Sequence, residues 1–257
     1  MRIDAFTIIA AAAVGAVFGS FLNVCILRLP NDESLLRPRS RCPKCGYQLA
    51  WFDNVPVLSW IILAGRCRRC RAPISFQYPL IELVVAGLWA VAVWYYGITV
   101  EALAGAAFAT ILLGIAVTDA RHYLIPDEYT LGGGVLGLAL ALRGGLPGLL
   151  EALIGAAVGF VLLLFVAWAG EKAFGKEAMG GGDIKMMAMV GTFVGWKGVL
   201  LTVFGGALLG TIVFVPLTIR HKKLVPFGVF LAAAAAVTFV FGDRIFDWYL
   251  SFTFGGP

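Results

Sequence analysis

Eight stretches of apolar sequence, each near the length that crosses a hydrocarbon core, leave this chain little choice of environment. They cover residues 4–29, 78–96, 100–118, 129–143, 148–169, 184–196, 199–219 and 225–241. About 20 residues of α-helix span a core of roughly 30 Å. Of the 257 residues, 60% are hydrophobic, and the mean hydropathy is +0.90. Soluble domains hold about 45–50% apolar residues. The period-2 alternation of transmembrane barrels is absent. The first run follows Arg2 alone and passes into "NVCILRLP" without a small-residue cleavage site, so it reads as a span rather than a cleavable signal. The expected fold is all-α: a polytopic membrane bundle of about eight spans. Small residues recur at four-residue spacing in Gly15/Gly19, Gly133/Gly137, Gly155/Gly159, Gly191/Gly195 and Gly206/Gly210. Such pairs let helices pack closely in lipid.

Basic residues set the orientation. With the 30–76 loop in the cytoplasm and both termini outside, all 20 Lys and Arg residues lie inside except Arg2, Arg143, Lys197 and Arg244. Trp94, Tyr95 and Tyr96 then mark an outer aromatic belt. The net charge of +5 is thereby a topology signal, and no nucleic-acid partner is needed to explain it.

The loop "RCPKCGYQLAWFDNVPVLSWIILAGRCRRC" carries Cys42, Cys45, Cys67 and Cys70. Two C-x-x-C pairs fit a closed four-thiolate zinc site of the structural, zinc-ribbon-like kind. Two disulfides, or free thiols, are the alternative. A reducing cytoplasmic location argues against the disulfides. The segment "VPVLSWIILAG" is too short to span and is expected on the membrane surface or against the bundle. Cys25, inside the first span, reads as a small buried residue.

The remaining chemistry lies in acids at the edges of apolar runs. Asp119 ends one, in "LLGIAVTDARHYLIPDEYT", and Asp183 begins another, in "AMGGGDIKMMAMVG". Both fall at the cytoplasmic ends of their helices, where ionisable residues are functional candidates by default. Two carboxylates sharing a site can divide into an acid and a base. The plainer reading of Asp183 is a helix N-cap, and Asp127 after Pro126 is expected to cap a helix. Gly180, Gly181 and Gly182 can adopt positive φ and bring backbone close to a bound extended peptide. Lys185 is expected to snorkel to lipid headgroups.

These motifs together resemble the bacterial type IV prepilin leader peptidases, bifunctional membrane aspartyl proteases and N-methyltransferases. "GSFLNVCILRLP" is similar to the family's first-span motif. "CPKC", "NVPVLSW" and "CRRC" are similar to its cysteine loop, and "YPLIEL" to its second span. "TDARHYLIPD" and "GGGDIKMMA" place the two family aspartates on Asp119 and Asp183. "VPFGVFLA" resembles a motif that usually reads Pro-Phe-Gly-Pro, with Val229 in place of the second Pro. Gln77 stands where a basic residue is common.

The resemblance implies cleavage of a basic leader after Gly, on the cytoplasmic side of the bacterial inner membrane. It then implies methylation of the new N-terminus from S-adenosylmethionine. The substrates would be type IV prepilins or secretion pseudopilins. The chain divides into a first span (1–29), a cytoplasmic cysteine-motif domain (30–76) and a transmembrane peptidase core (77–257). The sequence assigns no methyl-donor residues and no oligomeric state. A transporter or channel would also place acids in a bundle, but more often with two related halves and midplane sites.

Overall fold

The computed structural model describes residues 3–176, 179–218 and 226–254, with backbone alone for 214–218 and 254. Arg2, Arg220, Lys222 and Lys223, which enter the orientation argument, lie outside the described residues. Helix dominates. Among the described residues the only extended pairing is two isolated bridges, Arg41 with Gln48 and Arg66 with Pro73. The chain forms two compact units, Met1–Thr110 and Ile111–Pro257.

The first unit holds α1 (Ala5–Arg28), the cysteine loop with its short α2 (Leu58–Ile62), α3 (Gln77–Tyr96) and the start of α4 (Val100–His122). Asp4 caps α1, accepting from the Thr7 N–H at 3.1 Å. α1 and α3 run antiparallel, joined by the small residues expected at their interface. A Cβ on Gly15 would fall 2.8 Å from Trp89, and one on Gly19 would fall 2.7 Å from the Glu82 Cα. Farther along, Asn23 donates to the Tyr78 carbonyl at 3.1 Å. Glu82, buried in α3, ties the loop to this pair by accepting the Val57 N–H at 2.7 Å. Val57 has φ +62° and ψ −51°. A β-branched residue held there costs on the order of 1–3 kcal/mol, which the buried carboxylate contact helps to offset. Leu58, Ile61 and Ile62 of α2 are exposed, an apolar edge consistent with a surface-lying segment.

The second unit contains the end of α4, then α5 (Asp127–Ala141), α6 (Gly145–Phe174), α7 (Gly181–Thr218) and α8 (Phe227–Phe254). α6 and α7 are antiparallel and in backbone contact. Any Cβ on Gly155 would strike the Gly191 carbonyl, and any on Gly159 the Met187 carbonyl. α5 runs parallel to the first part of α7, with Gly133 against Met189 and Gly137 against Thr192 and Phe193. α8 runs antiparallel to the second part of α7: Gly198 meets Thr238, and Gly206 meets Leu231.

Among the described residues six helical stretches, not eight, are long and apolar enough to cross a membrane. The difference has two sources. Asp127–Phe174 and Gly181–Val213 each count as one stretch, and the chain folds back inside both. α5 and α6, packed parallel and antiparallel to the same helix, form a hairpin at Gly145, with φ +64° and ψ −156°. α7 breaks at Gly195, with φ +65° and ψ −179°. The same sign and range recur at Gly97, where α3 turns into α4, with φ +78° and ψ −167°. This backbone region is essentially closed to residues with a Cβ. Short antiparallel segments escape a count made on length and composition.

Packing this close predicts that Gly155→Val, which places side-chain atoms on the Gly191 carbonyl, lowers stability by at least about 1–3 kcal/mol. Thermal unfolding of the purified protein in detergent measures this. Gly132→Ala, at a glycine with open space beside it, is the control and should leave the transition where it was.

Candidate functional site

The second unit brings the two sequence-predicted acids together. Asp119 lies near the end of α4 and is buried at 6% exposure, while Asp183 is half-buried in the first turn of α7. Their carboxylates are within electrostatic reach of each other. Asp183 is not an N-cap. α7 begins two residues before it, and its own N–H bonds the Gly180 carbonyl at 3.2 Å. That frees the carboxylate from a capping role. Thr118 beside Asp119 is fully buried, and its hydroxyl makes no hydrogen bond among the described residues; the same is true of Asp119 Oδ2.

The glycines before Asp183 act differently from expectation. Gly180, Gly181 and Gly182 do not adopt positive φ. Gly181 and Gly182 are already helical. Gly182 matters through what it lacks: a Cβ there would sit 3.0 Å from the Ile125 Cβ. Gly228, in the first turn of α8, also packs on Ile125, with a virtual Cβ 2.9 Å from its Cδ1 and 2.7 Å from Asp119 Oδ2. Buried Ile125 is therefore the wedge that spaces the starts of α7 and α8 around the acids. Sequence reasoning missed both Ile125 and Gly228. Their only signal was their place inside "TDARHYLIPD" and "VPFGVFLA".

Lys185, expected to snorkel, has a protein partner. Its Nζ donates to both carboxylate oxygens of Asp127 at 2.8 Å, joining the first turns of α5 and α7. Asp127 is the first residue of α5 and makes no cap, so the capping expectation is corrected too. Both side chains are about half exposed, at 44% and 52%. An exposed pair is worth about 0–1 kcal/mol, too little to hold the bundle. Its effect is to fix where two helix starts meet, two residues from Asp183.

In the first unit the four loop cysteines converge, with all Sγ atoms within 4.8 Å of one another. Cys42 Sγ lies 3.8 Å from Cys70 Sγ, and Cys45 Sγ 3.9 Å from Cys67 Sγ. These are not disulfide distances. A tetrahedron with metal–sulfur bonds of about 2.3 Å has edges of about 3.8 Å. Two matching turns present the thiols. Cys42 and Cys67 each donate their N–H to a carbonyl five residues on, Tyr47 and Ala72, at 2.8 Å. Gly46 and Arg71 occupy equivalent left-handed positions, at φ +69° and +58°. The N–H groups of Cys45 and Lys44 pull the Cys42 thiol down to about 6. Cys45 goes up to about 11: the Tyr47 N–H pulls it down, and burial and the neighbouring thiols outweigh that. Four thiols this close cannot all ionise unaided; a dication would let them.

The loop also forms, with the end of α1, an open cavity of about 230 Å³ lined in part by Phe21, Arg28, Arg39, Trp51 and Asn54. Arg28 braces its wall, donating to the carbonyls of Ser34 and Pro38 at 2.8 Å.

Comparison with known proteins agrees with this division. Residues 13–96 match the bacterial peptidase A24 N-terminal domain, and residues 106–215 match the type IV leader peptidase family. Three proteins named prepilin leader peptidase/N-methyltransferase are similar to it. That of Stutzerimonas stutzeri is 35% identical over 95% of this chain and 94% of its own length. That of Pseudomonas aeruginosa is 35% identical over 93% and 92%. That of Myxococcus xanthus is 41% identical over 78% of this chain and 60% of its own length. No solved structure matches. With two acids meeting at the starts and ends of apolar helices and a four-cysteine loop before them, this chain belongs to the type IV leader peptidase family.

Proposed function

We propose that this chain cleaves the basic leader from type IV prepilins or pseudopilins after Gly, and then N-methylates the new N-terminus. The observation that carries the reading is the meeting of Asp119 and Asp183 at one end of a membrane bundle. The proposed location is the bacterial inner membrane, with the acids and the cysteine loop on the cytoplasmic face. The functional division proposed is the first span 1–29, the cysteine-motif domain 30–76 and the peptidase core 77–257. A transport role is set aside, since both acids lie at one edge and family membership favours the peptidase.

In this reading Asp119 and Asp183 are the catalytic pair. The ionised one takes a proton from water as the water oxygen attacks the Gly carbonyl. The protonated one gives its proton to the carbonyl oxygen; as the C–N bond of the resulting diol breaks, the first Asp passes the proton it took from water to the leaving amine, and a diol hydroxyl returns a proton to the second Asp as the carboxyl group forms. Gly180 and Gly181 present an open, side-chain-free edge beside Asp183 for the extended substrate, and Gly182, packed on Ile125, sets where that edge lies. Lys185 holds the mouth through Asp127.

A tetrathiolate site suits one structural zinc on Cys42, Cys45, Cys67 and Cys70, which leaves no open position for catalysis. S-adenosylmethionine, when bound, supplies a methyl carbon made electrophilic by its sulfonium. The cavity at the end of α1 has a donor set that fits it: Arg39 for a carboxylate, the exposed Trp51 ring for an adenine face, Asn54 for hydroxyl or amino edges. These residues would bind and orient the donor, and positioning of this kind can be worth several kcal/mol.

Asp119→Asn and Asp183→Asn should each insert normally and lose about 10²–10⁴-fold in leader release from a prepilin in detergent. Near-parental cleavage by either variant sinks the acid-pair assignment. Trp51→Ala and Arg39→Gln should keep cleavage, lose methyl transfer to precleaved pilin, and lose calorimetric binding of S-adenosylhomocysteine. Unchanged binding in both variants removes the cavity from the reading. Elemental analysis should find about one zinc per chain. Because thiolates must stay deprotonated to hold it, zinc should leave as pH falls, and Cys67→Ser should lower both the zinc content and the protease resistance of the 30–76 loop.

A further inference from the structure

We propose that α2 and the turns around it, "VPVLSWIILAG" at 55–65, sink into one leaflet beside α1 and α3 instead of resting on the bilayer surface. The acyl chains of that leaflet are the partner that covers Leu58, Ile61 and Ile62, each more than half exposed in the chain alone.

The depth follows from a helix length and a hydrogen bond. α3 has 20 residues. At 1.5 Å per residue that is about 30 Å, the thickness of a hydrocarbon core with nothing to spare. Its first residue, Gln77, therefore stands at the core edge. Glu82 is five residues farther in, about 7–8 Å along the axis. The antiparallel α1 agrees. Gly19, whose added Cβ would fall 2.7 Å from the Glu82 Cα, is nine residues from Arg28 at the end of α1. Glu82 accepts the Val57 N–H at 2.7 Å, so the residue that opens α2 is held level with Glu82. Trp60, midway along α2, meets the Phe76 ring edge-on with centroids 5.8 Å apart. Its indole N–H donates to the Ile74 carbonyl at 3.3 Å. α2 thus climbs from the level of Glu82 to the residue just before α3. Helices that lie in a membrane interface bury their apolar face about 5–10 Å deep, the same range.

The stretch is built for that environment. It holds no charged residue. Lipid offers no partner to backbone groups, so an irregular segment must satisfy them within the protein. The N–H groups of Ser59, Ile61, Leu63, Ala64 and Gly65 all bond carbonyls inside the stretch. The Ser59 hydroxyl returns to the Val55 carbonyl at 2.5 Å. The Val57 N–H, on a residue with φ +62°, finds Glu82 instead. That gives a role to a buried acid which the cleavage chemistry does not use. Charge resumes where the stretch ends. Arg66, Arg69 and Arg71 follow Gly65 and are exposed, placed to meet lipid phosphates. Cys67 is two residues past Gly65, so the same anchor holds the four-cysteine cluster at headgroup level. A water-soluble partner could not reach an apolar face at this depth.

Depth can be read directly. A nitroxide carried by an unnatural amino acid is placed at one position at a time, which leaves the cysteines untouched. The full chain is studied in nanodiscs of phosphatidylethanolamine and phosphatidylglycerol. Power-saturation EPR compares collisions with oxygen, which concentrates among acyl chains, and with a polar nickel chelate, which stays in water. At 61 and 62 collisions with oxygen should exceed those with nickel; at 44 and 69 nickel should win. Glu82→Gln keeps an acceptor oxygen and should leave the ratio at 61 unchanged. Glu82→Met strands the Val57 N–H and should lower the ratio at 61 toward that at 69.

Free access of nickel to 61 in the parental chain overturns the proposal, and does so even where Glu82→Met fails to fold. Low collision rates with both probes at 61 also overturn it, because protein rather than lipid then covers the face. If Glu82→Met folds and 61 keeps its preference for oxygen, Glu82 does not set the depth, and that part of the proposal falls.

Discussion

Holding two carboxylates at the edge of an apolar bundle is the constraint on which the second unit is built. Each is costly to remove from water, and their mutual repulsion adds to the cost. The bundle meets it with rigidity. α6 and α7 touch backbone to backbone through Gly155, Gly159 and Gly191. That fixes the start of α7, and with it Asp183. Ile125 then sets the distance to α8 by packing against two glycines at once. Such contacts have almost no slack, because a carbonyl cannot rotate out of the way as a side chain can.

The first unit solves a different problem. A short loop that buries few of its apolar residues must be given shape, and four thiols at tetrahedral-edge spacing are placed to do this if they share one ion. The loop is further anchored by Glu82, a buried acid that takes no part in the proposed chemistry and instead fixes a strained Val57 by its N–H. The two units thus hold acids differently: Glu82 as an acceptor bonded to backbone, Asp119 and Asp183 as the proposed groups whose protons move.

Much of this was legible in the chain itself. Apolar length called for a membrane bundle, Cys spacing called for a tetrathiolate site, and the edges of the apolar runs pointed to Asp119 and Asp183. These signals are local: each depends on residue type at short separation. The small-residue pairs were also read correctly as packing surfaces, since only a few functions suit glycine repeated along an apolar helix.

What the sequence could not determine was partnership. Asp127 looked like a cap and Lys185 like a snorkelling cation until the two met across 58 residues. The glycines ahead of Asp183 looked like a flexible loop, yet two of them are helix, and one of these, Gly182, is kept small by Ile125. Gly228 gave no sign of making room for Asp119, because its role is an absence of atoms next to a carboxylate that arrives from another helix. Composition specified which residues would be costly in lipid. Only the packing of α4, α7 and α8 decided how that cost is met, because charge stabilisation depends on distance in space and the chain records only distance along itself.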